Sequence, residues 1–493
     1  MSHRAIVVGS GPNGLTAAAL LARHGWQVDV YERNAIPGGA AASSPVLGPG
    51  TVVDMGAAGH PFGVASPAFR ALELTSHGLE WVQTEVPMAH PLPHGEAAVL
   101  HRDLDTTAEA LGKDARRWTR VHRNLTRHID EHLQNLLGPM LRMPAHPLRL
   151  ARFGPVAVAP ASFLTKTIFS TEAARALFLG SAAHAIVPLT QPFTGAFGAL
   201  FGALGMSRGW PVVRGGTGQL VKALVSVLTS HGGRVHLNQE IDHIADLPSA
   251  DAVILNLTPA QILRVTGQRN TAPTMLSDST RRRFRNWRYG TAAYKIDFLL
   301  DAPIPWLNPA VAAAGTVHVV GTSRELVQAS TQVAAGQMPR YPFVMVGQQQ
   351  AADPLRATGE AAKKTVVWTY AHVPHGYQET YPGEVPWLIK NQIERFAPGF
   401  QALIRKQVIT PPEALEHWNP NVIGGDIAGG AMTGTQALFR PGLTVDPYRL
   451  SSSTPATHGP RLYIASSSAP PGAGVHGMPG LWAAQAVVRD FAN

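Results

Sequence analysis

Three kinds of apolar pattern run along the chain. The first is continuous. Ile6-Val7-Val8 is apolar without alternation, as in a parallel strand covered on both faces. It runs into Gly9-Ser10-Gly11-Pro12-Asn13-Gly14, and the Ala- and Leu-rich stretch 15–24 predicts a helix. Gly25 stands where a left-handed C-terminal cap belongs, and Gln27-Val28-Asp29-Val30-Tyr31 predicts a second strand ending at Glu32. The second pattern is helical. After Arg214-Gly215-Gly216-Thr217-Gly218, residues Leu220, Leu224, Val227 and Leu228 share one helix face, Gly232-Gly233 ends the run, and strands are predicted at 234–237 and 251–255. The third alternates with period two. Tyr294, Ile296 and Phe298 share one strand face, and Val366, Trp368, Tyr370 and His372 share another, which predicts an antiparallel sheet. The second set reads either as an aromatic core face or as a cavity wall. Near the end, a strand at 461–465, a glycine-rich loop and a helix to Phe491 repeat the strand–loop–helix order of the beginning.

The GxGxxG at 9–14 has a physical reading at each position. Gly9 permits the tight turn, Gly11 lets a pyrophosphate approach the backbone, and Gly14 lets the helix pack against the strand. The helix start offers free N–H groups and a positive dipole end to phosphate. Glu32, about twenty residues on, suits ribose hydroxyls and would repel a 2′-phosphate, which argues against NADP.

Length and charge narrow the picture. A chain of 493 residues, 45% hydrophobic, predicts two interleaved domains. The absence of cysteine excludes disulfides, thiolate metal sites and CxxC redox pairs. The net charge of +9 is scattered, with one dense run at Arg281-Arg282-Arg283, so no nucleic-acid partner is expected. Between 176 and 207 no acidic or basic residue occurs, His184 aside. Pro188, Pro192 and five glycines break this stretch, which predicts a buried or membrane-touching substrate wall rather than a spanning helix. No cationic leader precedes the first strand, so the expectation is a cytoplasmic protein with peripheral membrane contact. The histidines show no metal-ligand spacing, and no metal is expected.

The run from Val7 to Ala41 resembles the FAD-binding N-terminus of the phytoene desaturase and amine oxidase superfamily. Gly-Pro-Asn-Gly-Leu at 11–15 resembles in particular the phytoene desaturase-like members that include the pyridine nucleotide-disulfide oxidoreductase domain-containing proteins. The resemblance implies an α/β fold: a discontinuous Rossmann-type FAD domain at 1–75, 208–265 and 440–493. An α+β substrate domain with an antiparallel sheet would fill 76–207 and 266–439. It implies FAD, held at Gly9, Gly11, Pro12, Asn13, Gly14, Glu32 and Arg33, with Gly38, Gly39, Ala40 and Ala41 passing near the flavin side. Glu240 and Ile241 would meet the adenine. Ser466, Ser467, Val475, His476, Gly477 and Met478 would face the ribityl chain and isoalloxazine, although the two serines depart from the commoner pattern.

The activity so implied is dehydrogenation or desaturation of a largely apolar small molecule. The alternatives are a flavin-dependent isomerase of a polyene or isoprenoid, and a non-enzymatic lipid escort of the same fold. Two residues stand as catalytic candidates. His476 lies in the flavin-facing loop, where it reads either as a base or as a backbone tie. Lys295 sits in a strand similar to the one that carries a flavin-contacting lysine in amine oxidases; the other reading is a solvent-facing lysine beside Asp297.

Overall fold

The computed structural model describes residues 3–267, 275–451 and 459–492. Two continuous apolar segments lie at the centre of a five-stranded parallel sheet in the order Arg461–Ile464, Ala252–Leu255, Arg4–Val8, Gln27–Tyr31, Arg234–His236. Ala5, Ile6, Val7, Ile254 and Leu255 have no exposed surface, which is why these strands carry no polar alternation. Burying each large aliphatic side chain there contributes about 1.5–3 kcal/mol.

Helix Pro12–Arg23 packs against both Gly218–Ser230 and Met478–Asp490. Glycine sets the last approach: a Cβ on Gly480 would collide with the carbonyl of Asn13. The first helix ends as its sequence predicts. Gly25 has φ +81°, and the N–H of Trp26 donates to the carbonyl of Leu21 at 3.1 Å.

The second sheet has seven strands in the order Ile404–Thr410, Ala292–Leu300, Thr365–Val373, Val344–Gly347, Ala314–Val319, Val86–Pro91, Ala97–Leu100. It is antiparallel except at one pair. Ala314–Val319 runs parallel to Val86–Pro91, because the 86–100 hairpin arrives from much earlier in the chain. Tyr294, Ile296 and Phe298 point away from the parallel domain and pack with Val385, Ile389 and Ile393 of helix Glu384–Glu394. The uncharged stretch becomes two buried helices, Glu172–Ala183 and Thr194–Ser207, which pack on each other. Among the described residues, no helix is long and apolar enough to cross a membrane.

Candidate active site

A long cleft runs from the carboxyl ends of the parallel strands to the inner face of the seven-stranded sheet. At its first end lies Glu32, 6% exposed. One carboxylate oxygen accepts from the Ser10 N–H at 3.0 Å and the Ser10 hydroxyl at 2.6 Å; the other accepts from the Asn34 N–H at 2.9 Å. The carboxylate is thus held in place and retains acceptor capacity toward the cleft. Arg33, Glu240 and Ile241 line the same end, with Arg33 4.0 Å from Glu240 and Arg264 3.2 Å from it.

The glycine turn lies next. Gly9, Gly11, Pro12 and Asn13 line the cleft, as do Gly39 and Ala40. Gly9 has φ +95°. A Cβ on Gly11 would stand 2.8 Å from the side-chain nitrogen of Asn256, and one on Gly14 would collide with the Gly9 carbonyl. Asn256 also donates to that carbonyl at 3.2 Å. Sequence reasoning missed this residue. The available signal was its position just past the strand that neighbours the first one, where open α/β sheets place ligand contacts. The Asn13 side-chain oxygen is buried beside the turn with no partner among the described residues.

Ser466, Ser467 and Val475 line the cleft farther on. Arg440, fully buried, holds this loop through the carbonyls of Ser467 at 2.7 Å and Ala428 at 3.1 Å. Burial lowers its guanidinium to about 10, against the pull of Asp426. Asp426 itself lines the cleft and accepts from the N–H groups of Gly290, Ala428 and Gly430.

Six expected contact residues do not line the cleft. Gly14, Gly38 and Ala41 are scaffold positions: Gly38 has φ +125°, and its Cβ would meet Val221 at 2.8 Å. Gly477, φ +65°, and Met478 open the last helix. His476 lies behind the cleft lining, in the arrangement of a backbone tie. The ring is 1% exposed, its Nδ1 accepts from the Met478 N–H at 3.2 Å, and its own carbonyl accepts from Ser66 at 2.6 Å. Burial lowers it to about 4. It ties the loop to the helix start.

Lys295 does reach the cleft. It is 4% exposed, ion-paired with Asp297 and 5.9 Å from the Trp368 ring centre, so the solvent-facing reading is excluded. Burial lowers its pKa, opposed by Asp297; burial likewise pushes Asp297 up to about 6, opposed by Lys295. Asp297 was expected beside Lys295 only in the solvent-facing reading; i and i+2 share a strand face, and the structure buries the pair together. Trp368 and Tyr370 line the same chamber while Val366 and His372 do not, so this strand face is part cavity wall and part core. Opposite stand His184, Ile186, Phe197 and Phe201 of the uncharged stretch, with Trp210 beside them. The structure therefore joins an oxygen-rich, N–H-rich cradle to an aromatic chamber containing a buried ion pair.

These residues fit FAD. The cradle is open only because its turn positions lack Cβ atoms, Glu32 is fixed at the ribose position, and the cleft continues past the phosphates to room for a ring system. Residues 7–73 match the family model described as an NAD(P)-binding Rossmann-like domain. Among solved structures, putrescine oxidase bound to putrescine superposes over 100% of this chain and 99% of its own, with TM-score 0.60 and 16% identity. The fold is that of putrescine oxidase. The chain is also homologous over its whole length to pyridine nucleotide-disulfide oxidoreductase domain-containing protein 2 of Rattus norvegicus, 25% identical across 94% of that protein. A limonene dehydrogenase component of Castellaniella defragrans is 30% identical over 132 residues, 26% of this chain and 24% of that one.

Proposed function

We propose that this chain is an FAD-dependent oxidoreductase that dehydrogenates or desaturates a largely apolar small molecule. The observation that carries the proposal is the continuity of the cleft: one cavity joins the Glu32–glycine cradle to the Lys295–Trp368–Tyr370 chamber. When bound, FAD accepts a hydride at its N5. Glu32 and the turn 9–14 would hold the ADP half, and the 466–475 loop would hold the middle of the dinucleotide. Phe197, Phe201 and Trp368 would exclude water and bind apolar surface. Lys295 would place a donor or cation where negative charge develops. The short alignment with the limonene dehydrogenase component supports an apolar substrate.

The purified protein should be yellow and release FAD on heating. Glu32→Ala should weaken cofactor binding by about 1–3 kcal/mol, because ribose hydroxyls lose their acceptor. Release of FMN, or no flavin uptake after reconstitution, would overturn the reading.

A further inference from the structure

The chamber wall holds a row of imidazoles that the proposed chemistry does not use. His184 follows helix Glu172–Ala183 and lines the cleft. Its ring stacks on Phe201, 4.8 Å between centres, and its Nε2 lies 3.0 Å from Nε2 of His318 on strand Ala314–Val319. His318 has no exposed surface. Behind it lies His90 on the adjoining strand Val86–Pro91, also fully buried, with its Nε2 2.7 Å from the carbonyl of Gly321.

The protons in this row are set by one fixed acceptor. A carbonyl only accepts, so His90 carries its proton on Nε2 and leaves Nδ1 bare. The Nδ1 atoms of His90 and His318 have no other partner among the described residues. Both face Gly180, where a Cβ would collide with Nδ1 of His318 and stand 3.2 Å from Nδ1 of His90. The two Nδ1 atoms are not bonded to each other, but they face the same point, and a second lone pair there would be repelled by the bare Nδ1 of His90, which favours the Nδ1–H form of His318. That leaves the Nε2 of His318 bare, so the shared bond takes its proton from Nε2 of His184. No carboxylate bonds any of the three rings among the described residues; Glu172 and Glu325 act on His90 only through space. Burial keeps the rings neutral, with His184 lowered to about 3 and His90 to about 4.

We infer that His184 presents a bare Nδ1 lone pair to the chamber and accepts a hydrogen bond from a hydroxyl or N–H group on the substrate. Nδ1 of His184 has no protein partner among the described residues, and it is not closed off as the buried nitrogens of the row are. Around it stand Phe201, Trp210, Phe197 and Ile186, so it is a polar point in an apolar wall. The substrate class narrows to an apolar molecule bearing one donor group. His184 is then a specificity-determining residue, and His318 a positioning residue that acts through it. This inference rests on the apolar-chamber reading above.

The test compares two isomers, 1-octanol and heptyl methyl ether, by calorimetry on the flavin-loaded protein. Wild type should prefer the alcohol by about tenfold, the ratio that one net hydrogen bond supplies. His184→Phe keeps a stacking ring and should bind both isomers as wild type binds the ether. In protein labelled with 15N-histidine, the signal missing from His184→Phe should report an unprotonated Nδ1 that the alcohol shifts. That signature should be lost in His318→Phe, which removes the orienting acceptor. If both isomers bind wild type equally, the inference is overturned while the apolar chamber stands. If neither binds, the chamber reading fails and the inference falls with it.

Discussion

Lys295 is a buried cation whose counter-ion is two residues away on the same strand face. Its charge state is therefore decided inside the protein. Replacing it with Met nearly preserves length and packing against Trp368. We predict that Lys295→Met keeps its FAD and slows flavin reduction or reoxidation about tenfold or more, below the full cost of losing one oriented donor. Stopped-flow half-reactions at wild-type rates would remove Lys295 from the chemistry. Asp297 supplies a sharper test. Its carboxylate favours the ammonium form of Lys295 and so raises a lysine pKa that burial lowers. Asp297→Asn deletes the larger raising influence, leaves the weaker one of Asp54, and keeps the lowering effect of burial. The lysine should then lose its proton at lower pH, and the alkaline limb of the reduction rate should move toward acid relative to wild type. A limb that stays in place would mean that it belongs to another group. The direction of Lys295 could be read from alternation once Tyr294 and Ile296 were assigned to the other face; its burial could not, because alternation does not say what covers a face.

Two neighbouring helices carry an apolar surface that the described residues leave uncovered. Around helices Pro147–Val158 and Ala161–Ile168, Met143 is 90% exposed, Leu148 76% and Phe163 58%. From 132 to 171 the chain has four cations and no acidic residue, and Arg152 and Lys166 are exposed. Helix Thr194–Ser207, whose Phe197 and Phe201 line the chamber, packs against both helices. We propose that this face touches an anionic bilayer and predict co-flotation with vesicles containing phosphatidylserine, weakened by salt. Met143→Ser with Phe163→Ser should lower it several-fold. No binding at low salt would end the proposal. The uncharged stretch 176–207 pointed toward such a role by composition, but it is largely buried, with His184, Ile186, Phe197 and Phe201 on the chamber wall, and the exposed apolar residues precede it. Uncharged sequence marks burial as readily as it marks lipid contact, and only tertiary packing separates the two. Among the parallel-sheet strands, Arg4–Val8 and Ala252–Leu255 were legible as continuous apolar runs, and Gln27–Tyr31 by its place between Gly25 and Glu32. The 86–100 hairpin was not, since Pro87 and Pro91 disguise a buried strand. The histidine row lay beyond reach for another reason: residues 90, 184 and 318 meet only through two strands and a helix end.

The parallel sheet is assembled from both ends and the middle of the chain. The first strand sits between Ala252–Leu255 and Gln27–Tyr31, and the last helix lies on the first. The seven-stranded sheet is strung between these returns, which brings Lys295 to the same cleft as Glu32 although 263 positions separate them in sequence. Among the described residues, one parallel sheet ends in a glycine cradle, and its Glu32 is fixed by Ser10 and Asn34. If FAD fills that cradle, a nicotinamide dinucleotide has no equivalent place from which to deliver hydride, and a 2′-phosphate would also meet the Glu32 carboxylate. The electrons should then come from the organic substrate in the aromatic chamber. We predict that NADH and NADPH reduce the bound flavin far more slowly than a substrate that fills the chamber, measured anaerobically by loss of flavin absorbance. Rapid stoichiometric bleaching by either nucleotide would require a second docking site, and the functional division between cradle and chamber would have to be redrawn.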